Sequence, residues 1–268
     1  PMPPGGGGDI VSRGLGEAIT KRYGQPVIVD NRAGATGAIG TYYVVKSAPD
    51  GYTYVLIQVG PGVTAPMTQK DIQYNPVRDL APVVMIGQAP ISLFVPAGSP
   101  FQNLADVVKH AKASPGKLDY GTPGIATPAH LTGELLQKPG GISLNHIPFK
   151  GGAPATTAVR GNQVELLSSS LGGALPFIKQ GKMKALAVTT RERDPALPDV
   201  PTMIELGFPD FLFLTWNGVW TTGGTPAETV ARLEGAMRKV VATPEFAASV
   251  QKFGIRISNL GSRELAAV

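Results

Sequence analysis

The sequence predicts an α/β fold in two lobes, and three observations carry that prediction. Strand-like and helix-like stretches alternate along the chain, the order that gives parallel strands covered by helices. Its 268 residues, 43% of them hydrophobic, exceed one small domain and suit two lobes of roughly 100–150 residues each. No long linker separates two halves. One lobe therefore reads as inserted into the other, with two crossings in the apolar extended runs near Ile91–Pro96 and Phe211–Val219. Glycine (34) and proline (25) fall between the periodic stretches, as in a fold of many short elements joined by tight turns.

The elements follow in order. Asp9–Tyr23 is an amphipathic helix with Ile10, Leu15, Ala18 and Ile19 near one face. Pro26–Asp30 and Tyr52–Gln58 read as strands, the second entered by the turn Pro49-Asp50-Gly51. Val83–Ile86 and Ile91–Val95 are two strands split by Gly87 and Pro90. Leu104, Val107, Val108 and Ala111 keep helical spacing, so Asn103–Ala113 is a helix that stops at Ser114-Pro115-Gly116. Strands follow near Leu118–Gly121, Asn145–Pro148, Val164–Leu167 and Lys184–Thr189, with a helix after Pro128. Thr225-Pro226-Ala227-Glu228 has the pattern of a capping box, opening a helix with Val230, Leu233, Met237 and Val240. A last helix starts at Thr243-Pro244. Pro1–Asp9 reads as a loop leaving a strand, and Leu265–Val268 as part of a helix, so both ends are expected to lie inside elements.

Composition excludes several functions. With no cysteine there is no disulfide, thiolate metal site or cysteine nucleophile. His110, His130 and His146 are scattered without metal-ligand spacing, so no metal and no cofactor is expected. The net charge of +5 comes from dispersed residues with no basic run, which argues against nucleic acid. No apolar stretch reaches the length of a membrane span. There is no GxSxG elbow and no carboxylate pair beside a histidine, so an enzyme is not expected.

Glycine-rich turns after strands dominate the remaining signal. Pro3-Pro4-Gly5-Gly6-Gly7-Gly8-Asp9 runs directly into a helix, where glycine lets the backbone approach a ligand and free N–H groups favour an anion. A flexible turn with Asp9 as an ordinary cap is the plainer alternative. The loop is no P-loop, because Gly-Asp stands where Gly-Lys-Ser/Thr would be. Tyr120–His130, His146–Pro154 and Ser168–Gly173 repeat the strand, glycine loop and helix order. Arg32–Gly37 and Gln58–Gly62 are weaker cases. His130 is as well explained by a structural role, and Lys150 by a solvated surface. In open α/β sheets ligands sit outside the carboxyl ends of strands, and loops of N–H groups and hydroxyls there can recognise carboxylates without chemistry.

Pro3-Pro4-Gly5-Gly6 with Asp9, Gly24–Ala35, Ala48-Pro49-Asp50-Gly51-Tyr52-Thr53, Tyr120–His130, Pro148–Pro154, and Ala187-Val188-Thr189 with Leu197–Thr202 resemble the Bug receptors. These are the TctC-like solute-binding proteins of tripartite tricarboxylate transporters. The resemblance covers essentially the whole chain. It implies a periplasmic protein of the type II periplasmic binding protein fold, whose two α/β lobes, joined by two crossings, close over a ligand. The lobes would be 1–96 with 213–268, and 97–212. It implies a small carboxylate ligand, transporter subunits as partners and a monomer. The ligand positions it carries over are Pro4, Gly6, Asp9, Gly60, Thr122, Gly124, Thr127, His130, Lys150, Gly151, Ala153 and Ser169.

One departure bears on the ligand. Where the family often reads Val-Asp-Leu-Met-Phe-Asp, this chain reads Val164-Glu165-Leu166-Leu167-Ser168-Ser169. Ser169 replaces an acid suited to a ligand ammonium, which favours a dicarboxylate or aromatic carboxylate over an amino acid. Two other readings remain open. One is an effector-sensing domain of a regulator, normally fused to a helix-turn-helix that these residues do not contain. The other is an enzyme using the glycine loops as an oxyanion site.

Overall fold

The computed structural model describes residues 1–251 and 253–267. In chain order the elements are α1 (Gly7–Tyr23), α2 (Ala38–Val45), β1 (Tyr54–Ile57), α3 (Ala65–Thr68), α4 (Pro76–Asp79), β2 (Leu80–Pro96) and α5 (Leu104–Ala113). Then come β3 (Asp119–Thr122), α6 (Pro128–Gly140), β4 (Asn145–Pro148), α7 (Gly152–Arg160), β5 (Leu166–Ser170), α8 (Leu171–Lys179) and β6 (Met183–Val188). The chain ends with β7 (Leu214–Thr222), α9 (Ala227–Val241), α10 (Pro244–Gln251), β8 (Arg256–Leu260) and α11 (Ser262–Ala266). Of the helix expected at the end, Val268 lies outside the described residues.

The chain divides into two compact units, Pro1–Gln88 with Trp216–Val268, and Ala89–Thr215. In the first, β1 pairs antiparallel with β7, and β8 pairs antiparallel with the start of β2. Its core gathers Val44, Val55, Ile57, Met85, Trp216 and Leu265. In the second, β3 lies parallel to both β4 and β5, while the later half of β2 runs antiparallel to β5 and β6. Two clusters fill that unit. Leu93, Leu104, Val107, Tyr120 and Leu136 pack on one side, and Phe94, Val159, Leu167, Leu171 and Leu175 on the other. Phe94 and Leu93 alternate between these clusters because successive strand residues face opposite sides.

Local chemistry accounts for most element ends. The Asn103 side chain accepts the Asp106 N–H at 2.9 Å and starts α5, and Thr243 Oγ1 accepts the Phe246 N–H at 3.3 Å at the start of α10. Gly24 ends α1 in the left-handed conformation (φ 69°), donating its N–H to the Thr20 carbonyl.

Four expectations need correction. The sheets are mixed and not parallel throughout, because β2 and β7 run against their neighbours. Pro26–Asp30 forms no strand, and its Val27 N–H goes to Thr20 Oγ1 at 3.2 Å. The two strands split at Gly87 and Pro90 are one 17-residue strand. Its pairing changes from β8 to β5 and β6 between Gln88 and Ile91, so the missing proline N–H falls where no ladder bond is required. The capping box before α9 is not formed: no side chain caps that helix, and the Thr225 hydroxyl donates to the Thr222 carbonyl at 2.7 Å.

Gly87 shows why glycine stands inside β2. A Cβ there would lie 2.3 Å from the Arg256 carbonyl oxygen on β8. Gly87→Ala is expected to displace β8 and lower stability by ~1–3 kcal/mol, the usual cost of overpacking. Urea denaturation of the variant beside the parent protein measures it.

Candidate ligand-binding site

The second unit brings three loops to one edge of its sheet. The register of β3 against β4 sets Thr122 beside Pro148, and that of β3 against β5 sets Gly121 beside Leu167. All three strands run the same way, so the loops leading to α6, α7 and α8 emerge side by side. Backbone bonds tie them: Phe149 N–H donates to the Thr122 carbonyl and Gly151 N–H to the Pro123 carbonyl, both at 2.9 Å. Ser168 Oγ donates to the Ala129 carbonyl at 2.7 Å, joining β5 to the first turn of α6.

The electrostatics of this edge are uniform. The first turns of α6, α7 and α8 contain no acidic residue. Helices elsewhere do carry one there, such as Asp106 on α5 and Glu228 on α9. No side chain caps α7 or α8. Their first-turn N–H groups, Gly152 and Ala153 on α7 among them, thus remain available to a ligand. Three helix N-termini without acids favour an anion there without a buried cation. Gly151 precedes α7 with φ 112°, a conformation that suits glycine.

Hydroxyls line the same edge. Thr122 is fully buried; its Oγ1 accepts the Gly124 N–H at 3.2 Å and sits 2.7 Å from His146 Nε2. Thr127 Oγ1 donates to the Gly124 carbonyl at 2.8 Å and accepts the His130 N–H at 3.3 Å, so it caps α6 and closes its own loop. Ser169 is 2% exposed, and its Oγ lies 3.6 Å from where a Cβ on Gly152 would be. Ser92 on β2 stands directly across from Ser169, fully buried, with no hydrogen-bond partner for its hydroxyl among the described residues. Sequence reasoning missed Ser92, whose place depends on an antiparallel register that no local pattern encodes.

Behind the loops His130, one of the predicted positions, meets His146, a contact that sequence reasoning did not foresee. The His130 and His146 rings stack with centroids 4.1 Å apart, and Tyr120 donates its hydroxyl to Glu134 Oε1 at 2.5 Å. Burial, with His130 as a neighbouring like charge, pushes His146 down to about 4, against the partial opposition of Glu134. Burial and the Glu134 bond raise the Tyr120 hydroxyl well above its ordinary value.

Of the predicted positions, Thr122, Gly124, Thr127, His130, Lys150, Gly151, Ala153 and Ser169 belong to this edge or the loops leaving it, with Lys150 exposed. Pro4, Gly6, Asp9 and Gly60 belong to the first unit. There the glycine loop starts α1, and Gly8 packs on Leu56 of β1, the strand that leads to Gly60. Asp9 sits inside α1 and reaches back. Its carboxylate accepts the Gly5 N–H at 3.0 Å, Arg13 Nε at 3.1 Å and Asn31 Nδ2 at 2.9 Å. A cavity of about 820 Å³ in this unit, walled by Val27, Val29, Leu15, Leu56 and Met237, includes Asp9 alone of the predicted positions. Its lining also includes Asn31, Arg32 and Arg232, with Asp30 and Asp50.

Strand-end loops rich in N–H donors and hydroxyls are the equipment of a solute-binding protein. Residues 11–268 match the tripartite tricarboxylate transporter family receptor, TctC, and the chain belongs to that family. Protein BugT of Bordetella pertussis is 36% identical over 234 residues, 87% of this chain and 72% of BugT. Among solved structures, the periplasmic binding protein BugD is 33% identical with TM-score 0.93, over 100% of this chain and 90% of that one. An R. palustris protein solved with adipate is 29% identical with TM-score 0.95, over 100% and 89%. MatC from Rhodopseudomonas palustris, with bound malate, is 27% identical with TM-score 0.92, over 100% and 92%. The family is one of solute-binding receptors, not enzymes, and the α/β fold is that of periplasmic binding proteins. Among the described residues no helix is long and apolar enough to cross a membrane.

Asp9 gives this subsection its test. Burial pushes its carboxyl up, but hydrogen bonds from Arg13, Gly5 and Asn31 outweigh that and hold it below the ordinary value. A depressed folded pKa stabilises the protein above the unfolded value and loses that stabilisation as pH falls through the folded one. Asp9→Asn is expected to cost ~1–3 kcal/mol at pH 7. The gap to the parent should close as the pH falls below about 3.9, the ordinary aspartate value. Denaturation across that range measures it.

Proposed function

We propose that this protein is a periplasmic receptor that captures a small organic carboxylate and delivers it to the membrane subunits of a tripartite tricarboxylate transporter, with a dicarboxylate or aromatic carboxylate preferred to an amino acid. The observation that carries this reading is the set of three acid-free helix N-termini, two of them uncapped, at the ends of β3, β4 and β5. A carboxylate satisfies such N–H groups with charge-assisted hydrogen bonds. Gly151, Ala153, Gly124, Thr122, Thr127 and Ser169 supply backbone or hydroxyl contacts, and Lys150 adds an exposed charge. Pro4, Gly6 and Gly60, on the first unit, stand as ligand positions on the family resemblance alone. Asp9 acts by holding the Gly5 N–H.

Ser169 and Ser92 support the ligand preference. A floor of two buried hydroxyls has no charge to match an ammonium, whereas it can accept or donate to a ligand oxygen. The similarity to proteins solved with adipate and malate points the same way.

Thermal shift and calorimetry with adipate, malate, benzoate, aspartate and glutamate test the reading, with mass spectrometry of the recovered acid. An unaminated acid should bind and return unchanged. Ser169→Asp should weaken adipate and malate at least about tenfold, since a second buried carboxylate repels the first. The same change should bring in aspartate or glutamate. Micromolar binding of aspartate or glutamate by the parent, with no binding of unaminated acids, overturns the preference. Turnover of a bound acid overturns the receptor reading.

A further inference from the structure

His130 and His146 stand close to the loop between β3 and α6, and the atom that His130 presents to it is a lone pair. Ala126 N–H donates to His130 Nδ1 at 3.2 Å. That bond places the His130 proton on Nε2, which lies 3.5 Å from Glu134 Oε1. Ala126 is buried and holds φ 57°, a left-handed conformation that costs a residue with a Cβ and must be fixed by its surroundings. His146 Nε2 meets the hydroxyl of Thr122, whose oxygen in turn accepts the Gly124 N–H. Both ends of the 122–127 loop are therefore held by imidazole.

We propose that His130 and His146 are positioning residues, uncharged rings that hold Ala126 and Thr122 in the shape that binds ligand, and are not cationic partners of the ligand carboxylate. The proposal rests on this loop being part of the binding site. The titratable groups around the pair are His130 and Glu134 on α6, Tyr120 on β3 and His146 on β4, while Lys150 after β4 is exposed. Glu134 is engaged by the Tyr120 hydroxyl. A proton on His130 Nδ1 would set a donor against the Ala126 donor. A charge on both rings would place two cations in a stack 4.1 Å apart. The low pKa of His146 agrees with an uncharged ring.

Asparagine can mimic the Nδ1 acceptor of histidine and glutamine the Nε2 side, whereas leucine supplies neither. His130→Asn and His146→Gln should bind adipate and malate within about threefold of the parent, and His130→Leu about tenfold more weakly, the effect of one lost hydrogen bond. Amide exchange followed by NMR on the ligand-free protein reads the same contact without ligand. The Ala126 amide should exchange faster in His130→Leu and stay protected in His130→Asn. Parent affinity should not rise as pH is lowered over a range in which the acid stays fully ionised.

A rise in affinity on acidification that His130→Asn abolishes would make His130 a cationic partner and overturn the proposal. So would unchanged Ala126 protection in a folded His130→Leu. If the parent binds none of the acids, the receptor reading fails, and the amide exchange still decides what His130 does.

Discussion

Parallel strands cannot be joined by a tight turn, because each must be followed by a crossover before the next can begin. The second unit depends on that constraint. Since β3, β4 and β5 run the same way, each is followed by a helix, and the starts of those helices come to the same edge of the sheet. The positive ends of three helices are thus gathered by topology alone. What the sequence adds is restraint: no acid in any of the three first turns, and no side-chain cap on two of them. At most helix starts such an acid adds stability. Its absence from all three leaves the edge free for an anion from outside.

In the proposed function that arrangement recognises charge without using a buried cation. A lysine or arginine held in the protein would need desolvation, and a strong fixed pair would resist release. Backbone N–H groups carry no such requirement and point where the helix points them. Hydroxyls of Thr122, Thr127 and Ser169 refine the pattern. Each is itself placed by the backbone, since Thr127 closes its own loop and Thr122 holds Gly124. His130 extends the same principle one layer back, with a lone pair to the Ala126 N–H in place of a charge.

How much of this was legible depended on the range of the interaction. Asn103 and Thr243 announced helix starts because a cap acts within three residues. The loops at Thr122–Thr127 and Gly151–Ala153 were legible for the same reason: strand, glycine and helix follow one another in the chain. Failures came where a distant partner decides. Pro26–Asp30 has the residues of a strand but no backbone partner along it. Pro90 looked like a break, yet the strand continues because its neighbours change there. Thr225 had the letters of a cap but gives its hydroxyl to Thr222. Ser92 against Ser169, and His146 against Thr122, are set by register between strands and could not be read from either segment alone.

The first unit answers the same electrostatic problem differently. Its glycine loop also precedes a helix, but α1 carries Asp9 in the first turn. A free carboxylate there would repel an anionic ligand. Asp9 is not free, because Arg13 lies 3.0 Å from one of its oxygens and Asn31 and the Gly5 N–H take further lone pairs. Its charge is matched locally and its geometry serves the backbone. A run of four glycines, two before the helix and two in its first turn, has many conformations to lose on ordering. A bond from the first of them to a carboxylate anchored in the helix removes much of that freedom. The acid that looked like a ligand contact in the sequence is better understood as the reason a glycine loop can have a shape at all.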